Sequence, residues 1–191
     1  MSGMTPTILT IEGEYFDFTA PEKWRGSIRT VAHALAHICR FGGHTRRFYS
    51  VAQHCVLMSY LVPPEHALHA LLHEAGEPFA GDMPAPLKML LPEYKALEKR
   101  IEAAVLARFN LDPKLPDCIK RADLVLLATE QRDLMTRGAG EVWTSLEGVQ
   151  PLARKIRPWP IFWARWRFLW RYRELTAAAS RRAHSAATAE A

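Results

Sequence analysis

Polar and apolar residues alternate along the opening stretch TILTIEGEYFDFT, and the alternation turns at Gly13, which predicts a short β-hairpin. Beyond it the apolar positions recur every three or four residues, the period of amphipathic helices. SIRTVAHALAHICRF opens at Ser27, whose hydroxyl can accept an N–H of the first turn. FGGHTRR breaks the chain at paired glycines. SVAQHCVLMSYLV starts at a second capping serine, Ser50, and stops at Pro63-Pro64. PPEHALHALLHEAGE begins on prolines, which suit a first helical turn, and ends before Pro78.

A proline-broken loop, PFAGDMPAPLK, leads into a charged amphipathic helix over PEYKALEKRIEAAVLARF, and a further helix runs through CIKRADLVLLATEQRDLM. Residues 137–160 have the glycines (Gly138, Gly140, Gly148) and prolines of a connector, and a last helix is expected over about 161–179. No internal repeat is present. The pattern predicts one all-α domain with a small N-terminal β-hairpin, spanning residues 1–180, and a frayed tail over 181–191.

Composition narrows the class. With 191 residues, 49% hydrophobic and 24% charged, the chain has the make-up of a globular domain with its own core. It shows no signal-peptide pattern and no apolar run near the roughly 20 residues that span a bilayer, so no membrane partner is expected. Cys39, Cys55 and Cys118 are odd in number and form no CxxC pair, which points to a reducing, cytoplasmic setting. The net charge of +5 is uneven: residues 151–191 balance at +7 and the other 150 at −2. The basic character belongs to the end of the chain.

The candidate chemistry lies in LLHEAGEPFAGDMPAPLK, residues 71–88, where His73, Glu74, Glu77 and Asp82 crowd together among apolar residues. Charges in such surroundings are costly unless something compensates them. A single helix cannot surround a metal, because neighbouring side chains diverge by about 100°. Three helices can: His54 on one, His73-Glu74 at the end of the next and Asp123 on a later one supply imidazole nitrogen and carboxylate oxygen, a set suited to borderline divalent ions. Glu77, four residues after His73, is expected on the same helical face, and Asp82 on a proline-stiffened loop past Gly81. Two further carboxylates beside a metal suit the handling of a water nucleophile.

His54, His73-Glu74 and Asp123 resemble the H…HD…D signature of the HD-domain metal-dependent phosphohydrolases. SVAQH, ALLHEAGEPFAGDMPAPLK and RADLVLLATE are similar to segments of the small 5′-deoxynucleotidase branch, the YfbR-like enzymes, and of related phage nucleotide phosphohydrolases. The resemblance covers about residues 28–135. It implies a compact helical HD-domain fold, a divalent cofactor (Mn, Co, Fe, Zn or Mg) and hydrolysis of a nucleotide phosphoester or phosphoanhydride. It assigns His54, His73 and Asp123 as metal ligands, with Glu74 where the signature has Asp, and Glu77 and Asp82 as the acids that work on water. It puts Arg40 and Phe41 near the nucleoside. Lys88, Arg46 and Arg47 stand where phosphate contacts are useful, and His44 after Gly42-Gly43 is a candidate for the mouth of the site.

The remaining features have plainer expectations. His33 with His37, and His66 with His69, are read as packing histidines, since no carboxylate completes a set. In the last helix Phe162, Trp166, Leu169 and Trp170 fall at i, i+4, i+7 and i+8, a stripe that predicts packing against the body or a second subunit, most simply in a homodimer. Arg alternating with Trp, Phe and Tyr is also the composition of a nucleic-acid-binding helix. Because the arginines fall largely off the stripe, packing is the expectation and a nucleic-acid partner is not. Two function classes follow: a metal-dependent nucleotide hydrolase, or a non-catalytic module that keeps a metal site and senses nucleotide or binds nucleic acid.

Overall fold

The structure, a computed structural model, describes residues 5–136, 138 and 143–189, with side chains as far as residue 179. Strands β1 (Thr7–Leu9) and β2 (Tyr15–Asp17) pair antiparallel in the register Ile8 to Phe16. The turn between them uses Gly13 at φ 79°. The rest is helical: α1 (Ile28–His37), α2 (Val51–Met58), α3 (Ala67–Leu72), α4 (Glu77–Ala80), α5 (Ala85–Lys88), α6 (Pro92–Arg108), α7 (Asp117–Leu134) and α8 (Ile161–Ala189). The fold is therefore all-α with a small N-terminal hairpin. Among the described residues no helix is long and apolar enough to cross a membrane.

Both serines cap as their chemistry requires. Ser27 Oγ accepts from Arg29 N at 3.0 Å, and Ser50 Oγ from Gln53 N at 3.1 Å. The segment between α1 and α2 closes on itself: Arg40 N donates to Tyr49 O, and Val51 N to Ile38 O. Phe41, next after that closure, has φ 58°, a left-handed conformation uncommon for a side chain of its size.

The expected helix through LLHEAGE is two short helices instead. α3 ends at Leu72, residues 73–76 turn, and α4 begins at Glu77. Gly76 is needed in that turn, since a Cβ there would come 3.1 Å from the Glu102 backbone of α6. α4 is then clamped from both sides: Phe79 stacks on Phe16 of the hairpin, ring centroids 3.7 Å apart, and Tyr94 Oη donates to Ala80 O.

α8 lies across α1 and α2 and runs helical to Ala189, ten residues past its expected end; residues 190–191 of the expected frayed tail, like Gly140 of the connector, lie outside the described residues. Its packed side is Ala164, Phe168, Arg171 and Leu175. Of the expected stripe Leu169 packs on the core, but Phe162, Trp166 and Trp170 do not pack against the body and are 72%, 50% and 43% exposed. Periodicity found an apolar face, but this helix has two, and the smaller Ala164 and Phe168 fit the groove over α1 and α2. The connector between α7 and α8 is pinned at several points, with Leu152 N donating to Thr129 Oγ1, and Gln53 donating to Arg157 O while accepting from Trp159 N.

Candidate metal centre

α2, the turn after α3 and α7 bring His54, His73 and Asp123 together, with one ligand atom of each within 4.8 Å of the others. His54 Nε2 lies 3.3 Å from His73 Nε2 and 3.4 Å from Asp123 Oδ1. The protons of the two rings are elsewhere. His54 Nδ1 donates to Glu130 Oε1 at 2.7 Å, and His73 Nδ1 donates to Ala70 O at 2.7 Å. A carbonyl can only accept, and Glu130, although buried, is held ionised below the usual carboxylate range by Arg40 and His54, so it too accepts. In the neutral rings both Nε2 atoms then present lone pairs, and Asp123 Oδ1, which has no hydrogen-bond donor among the described residues, adds a third. Burial first, then the neighbouring His54, favours the neutral form of His73. Three converging acceptors without a donor are what a divalent cation satisfies, and the nitrogen–oxygen set suits one. The residues fit the ion.

Glu130 was not singled out in the sequence. It lies on α7 seven residues, two turns, after Asp123, within the segment RADLVLLATE, and that spacing was the available signal. It is fully buried and also accepts from Tyr49 Oη at 2.8 Å. Arg40 Nε approaches its other oxygen at 3.3 Å. Carboxylate, imidazole and ion in line are the usual support of a metal-binding histidine.

Glu74 lies beside the cluster and outside the three-atom group. Its Oε1 is 3.4 Å from His73 Nε2 and 3.9 Å from Arg40 Nη1. Burial pushes its pKa up, but His73 and Arg40 outweigh that and bring it down to about 2. Glu77 goes the other way. Burial, then the charges of Glu74 and Asp82, raise it well above the carboxylate range, and it shares a hydrogen bond with Glu74 in which Glu77 carries the proton. Asp82, on the loop after Gly81 (φ 85°), is raised by burial against the pull of Arg40. Glu77 Oε2 and Asp82 Oδ2 are buried without a hydrogen-bond partner among the described residues.

The other expected contacts scatter. Arg40 is buried between Glu130 and Glu74, its guanidinium committed to carboxylates and held charged by them despite burial. Phe41 packs near Trp143, ring centroids 6.1 Å apart, under the Arg40 guanidinium. Lys88 pairs with Glu98 on α6, and Arg46 donates through Nη2 to Asp133 O at the end of α7. His44 and Arg47 are exposed. Asp123 makes no pair with Lys120, which contacts Asp117 instead. His37 Nδ1 bonds His33 O, and no carboxylate joins them among the described residues.

Fold and site define an all-α protein with a His–His–Asp cluster whose two histidines are buried and backed by carboxylates. No family model matches the chain. It is 46% identical over 142 residues to "Uncharacterized protein YfdR" of Escherichia coli (strain K12), an alignment covering 74% of this chain and 79% of that one. It is also 37% identical over 122 residues to "Uncharacterized protein RCAP_rcc00048" of Rhodobacter capsulatus, covering 59% of this chain and 62% of that relative. The chain belongs to the family of YfdR.

Proposed function

We propose that this protein is an HD-domain phosphohydrolase that uses a divalent metal to hydrolyse the phosphates of (deoxy)nucleotides. The observation that carries the metal is the convergence of His54 Nε2, His73 Nε2 and Asp123 Oδ1 with no donor among them. The pair of buried, unpartnered carboxyl oxygens of Glu77 and Asp82 next to it supports a hydrolase over a structural site, which has no use for them. The nucleotide class rests on the resemblance of the middle segment to the YfbR-like 5′-deoxynucleotidases.

His54, His73 and Asp123 would hold the ion, with Glu74 at the edge of its shell. Bound there, a divalent ion supplies Lewis-acid chemistry, polarising a phosphoryl oxygen and acidifying water. The chain's own acids do the rest. Asp82 and Glu77 would orient the attacking water; Glu77 would release its resting proton to solvent beside the bound cation and, once ionised, take the proton of the water, which the hydrogen bond to Glu74 would then hold. Arg40 keeps Glu74 and Glu130 ionised.

The test is metal-reconstituted protein offered deoxynucleoside mono-, di- and triphosphates, with phosphate, pyrophosphate and triphosphate release measured separately. Turnover of one class that chelation abolishes supports the proposal. Stoichiometric metal with no turnover of any of them would favour the non-catalytic module.

A further inference from the structure

A groove of about 1190 Å³, lined by none of the three cluster residues, lies between α2, the connector and α8. Its floor is apolar, with Leu57, Leu61 and Ile156, and its lip carries Arg154, Lys155, Arg157 and Arg167 with no acidic residue among the lining. None of those four cations forms an ion pair among the described residues. Aromatic rings continue the groove onto the outside of α8. Arg167 lies over Trp159, 5.4 Å from its centroid, and over Trp170 at 5.8 Å. Trp170 then stacks with Trp166 at 6.5 Å and 16°, and Trp166 with Trp163 at 4.8 Å and 19°. All three outer indoles are at least two-fifths exposed. Three indoles of about 150–250 Å² each, roughly half uncovered, present an apolar strip comparable with the largest patch an ordinary chain shows, with the partly buried Trp159 at its groove end.

We infer that this groove and the indole strip of α8 form a binding surface for single-stranded nucleic acid, separate from the metal cluster. The chemistry required is a chain of anions carrying flat apolar faces, and that is a single strand. Its phosphates meet the cationic lip, and its bases stack on the indoles. A duplex keeps its base faces to itself and cannot use the indoles. The apolar floor offers no donors or acceptors to base edges, so recognition is tolerant of sequence. The charge of the strip argues against a second copy as the occupant: residues 151–179 hold seven Arg or Lys against Glu174 alone, and Glu174 is already paired with Arg171. A planar bilayer reaches the outer indoles but not the concave groove.

The experiment is fluorescence anisotropy of a labelled oligothymidylate of about twenty nucleotides with the full chain, titrated with salt, alongside quenching of tryptophan emission. Binding at low salt, with log affinity falling linearly with log salt and indole emission quenched, is expected. Lys155→Glu with Arg157→Glu, both exposed, should weaken binding at least about tenfold and flatten the salt slope. Trp166→Ala or Trp170→Ala should weaken it about 5- to 100-fold and leave the slope alone. No anisotropy change at low salt overturns the inference. So does equal binding by the charge-reversed variant, a duplex that competes as well as the single strand, or capture by anionic phosphatidylglycerol vesicles in place of the oligonucleotide. A free protein of twice the chain mass whose indoles are already shielded overturns it in favour of a second copy. None of these readouts depends on metal or turnover, so they stand or fall apart from the hydrolase proposal.

Discussion

Glu130 accepts the Nδ1–H of His54 at 2.7 Å, and that contact leaves His54 Nε2 facing His73 Nε2 across 3.3 Å as a second lone pair. Removing Glu130 therefore does two things. The His54 ring loses the partner that fixes its tautomer, which should lower metal affinity about 10- to 100-fold in Glu130→Ala. Arg40 also loses its closest carboxylate in a buried position, which should cost about 3–5 kcal/mol of stability. Titration calorimetry with Mn and Zn, and urea unfolding of the metal-free protein, measure the two separately. Parental metal affinity in the variant would show that the ring keeps its orientation without Glu130.

His54→Ala and Asp123→Ala should each lose bound metal as well as activity, since among the described residues three ligand atoms converge and each variant removes one. Asp123 is partly exposed and His54 is fully buried, so their costs to the fold differ. Asp123→Ala should melt near the parent, while His54→Ala leaves a cavity and takes from the buried Glu130 one of its donors, with Tyr49 and Arg40 remaining. Metal content by elemental analysis decides the matter, and stoichiometric metal in both variants would remove the cluster as the site.

Glu74 stands beside the cluster, 3.4 Å from His73 Nε2, and its role differs accordingly. Glu74→Asp withdraws the carboxylate by one methylene and restores the HD signature; it should keep metal and hydrolysis with a changed metal preference. Glu74→Ala should weaken metal binding less than His54→Ala does. Equal losses in the two alanine variants would make Glu74 a full ligand.

The helical pattern, the hairpin and both serine caps were legible in the sequence because each depends on residues within one turn of another. The convergence of His54, His73 and Asp123 was legible through three short segments whose spacing places them on different elements. Glu130 was not, because its partners Tyr49 and His54 lie 81 and 76 residues away and nothing local distinguishes a buried Glu from a solvated one. The break between α3 and α4 was hidden too, since it answers to α6 pressing on Gly76. On α8 the outcome turned on which of two apolar faces the body accepts, a property of α1 and α2.

Glu102 on α6 has its pKa raised from 4.5 to about 7, by burial first and then by the charges of Glu74 and Glu98. A folded-state value above the unfolded one means that the native protein binds more protons in that window. Stability is then full below the unfolded value and falls as pH rises through about 7. Glu77 is raised in the same direction and adds to the slope. Urea unfolding of the metal-free protein at a series of pH values should show that fall, and Glu102→Gln should flatten it. A variant with the parent's full slope would leave Glu102 out of the titration.

Glu77 separates chemistry from binding. It is buried, carries a proton toward Glu74 and leaves Oε2 without a partner, so its amide analogue should fit the same space. Glu77→Gln copies the protonated carboxyl in shape and in its ability to donate to Glu74, but unlike the acid it can never ionise beside a bound cation and so never take a proton from water. The variant should therefore fold as stably as the parent, retain the metal held by His54, His73 and Asp123, and bind nucleotide. Turnover should fall by about two to four orders of magnitude, the usual worth of a positioned acid–base group. Metal content, nucleotide affinity and turnover on one preparation distinguish the possibilities. Parental turnover would take Glu77 out of the mechanism, whereas loss of the metal would make it a ligand. Glu77 lies outside the three-atom group, which argues for metal and nucleotide kept and turnover lost.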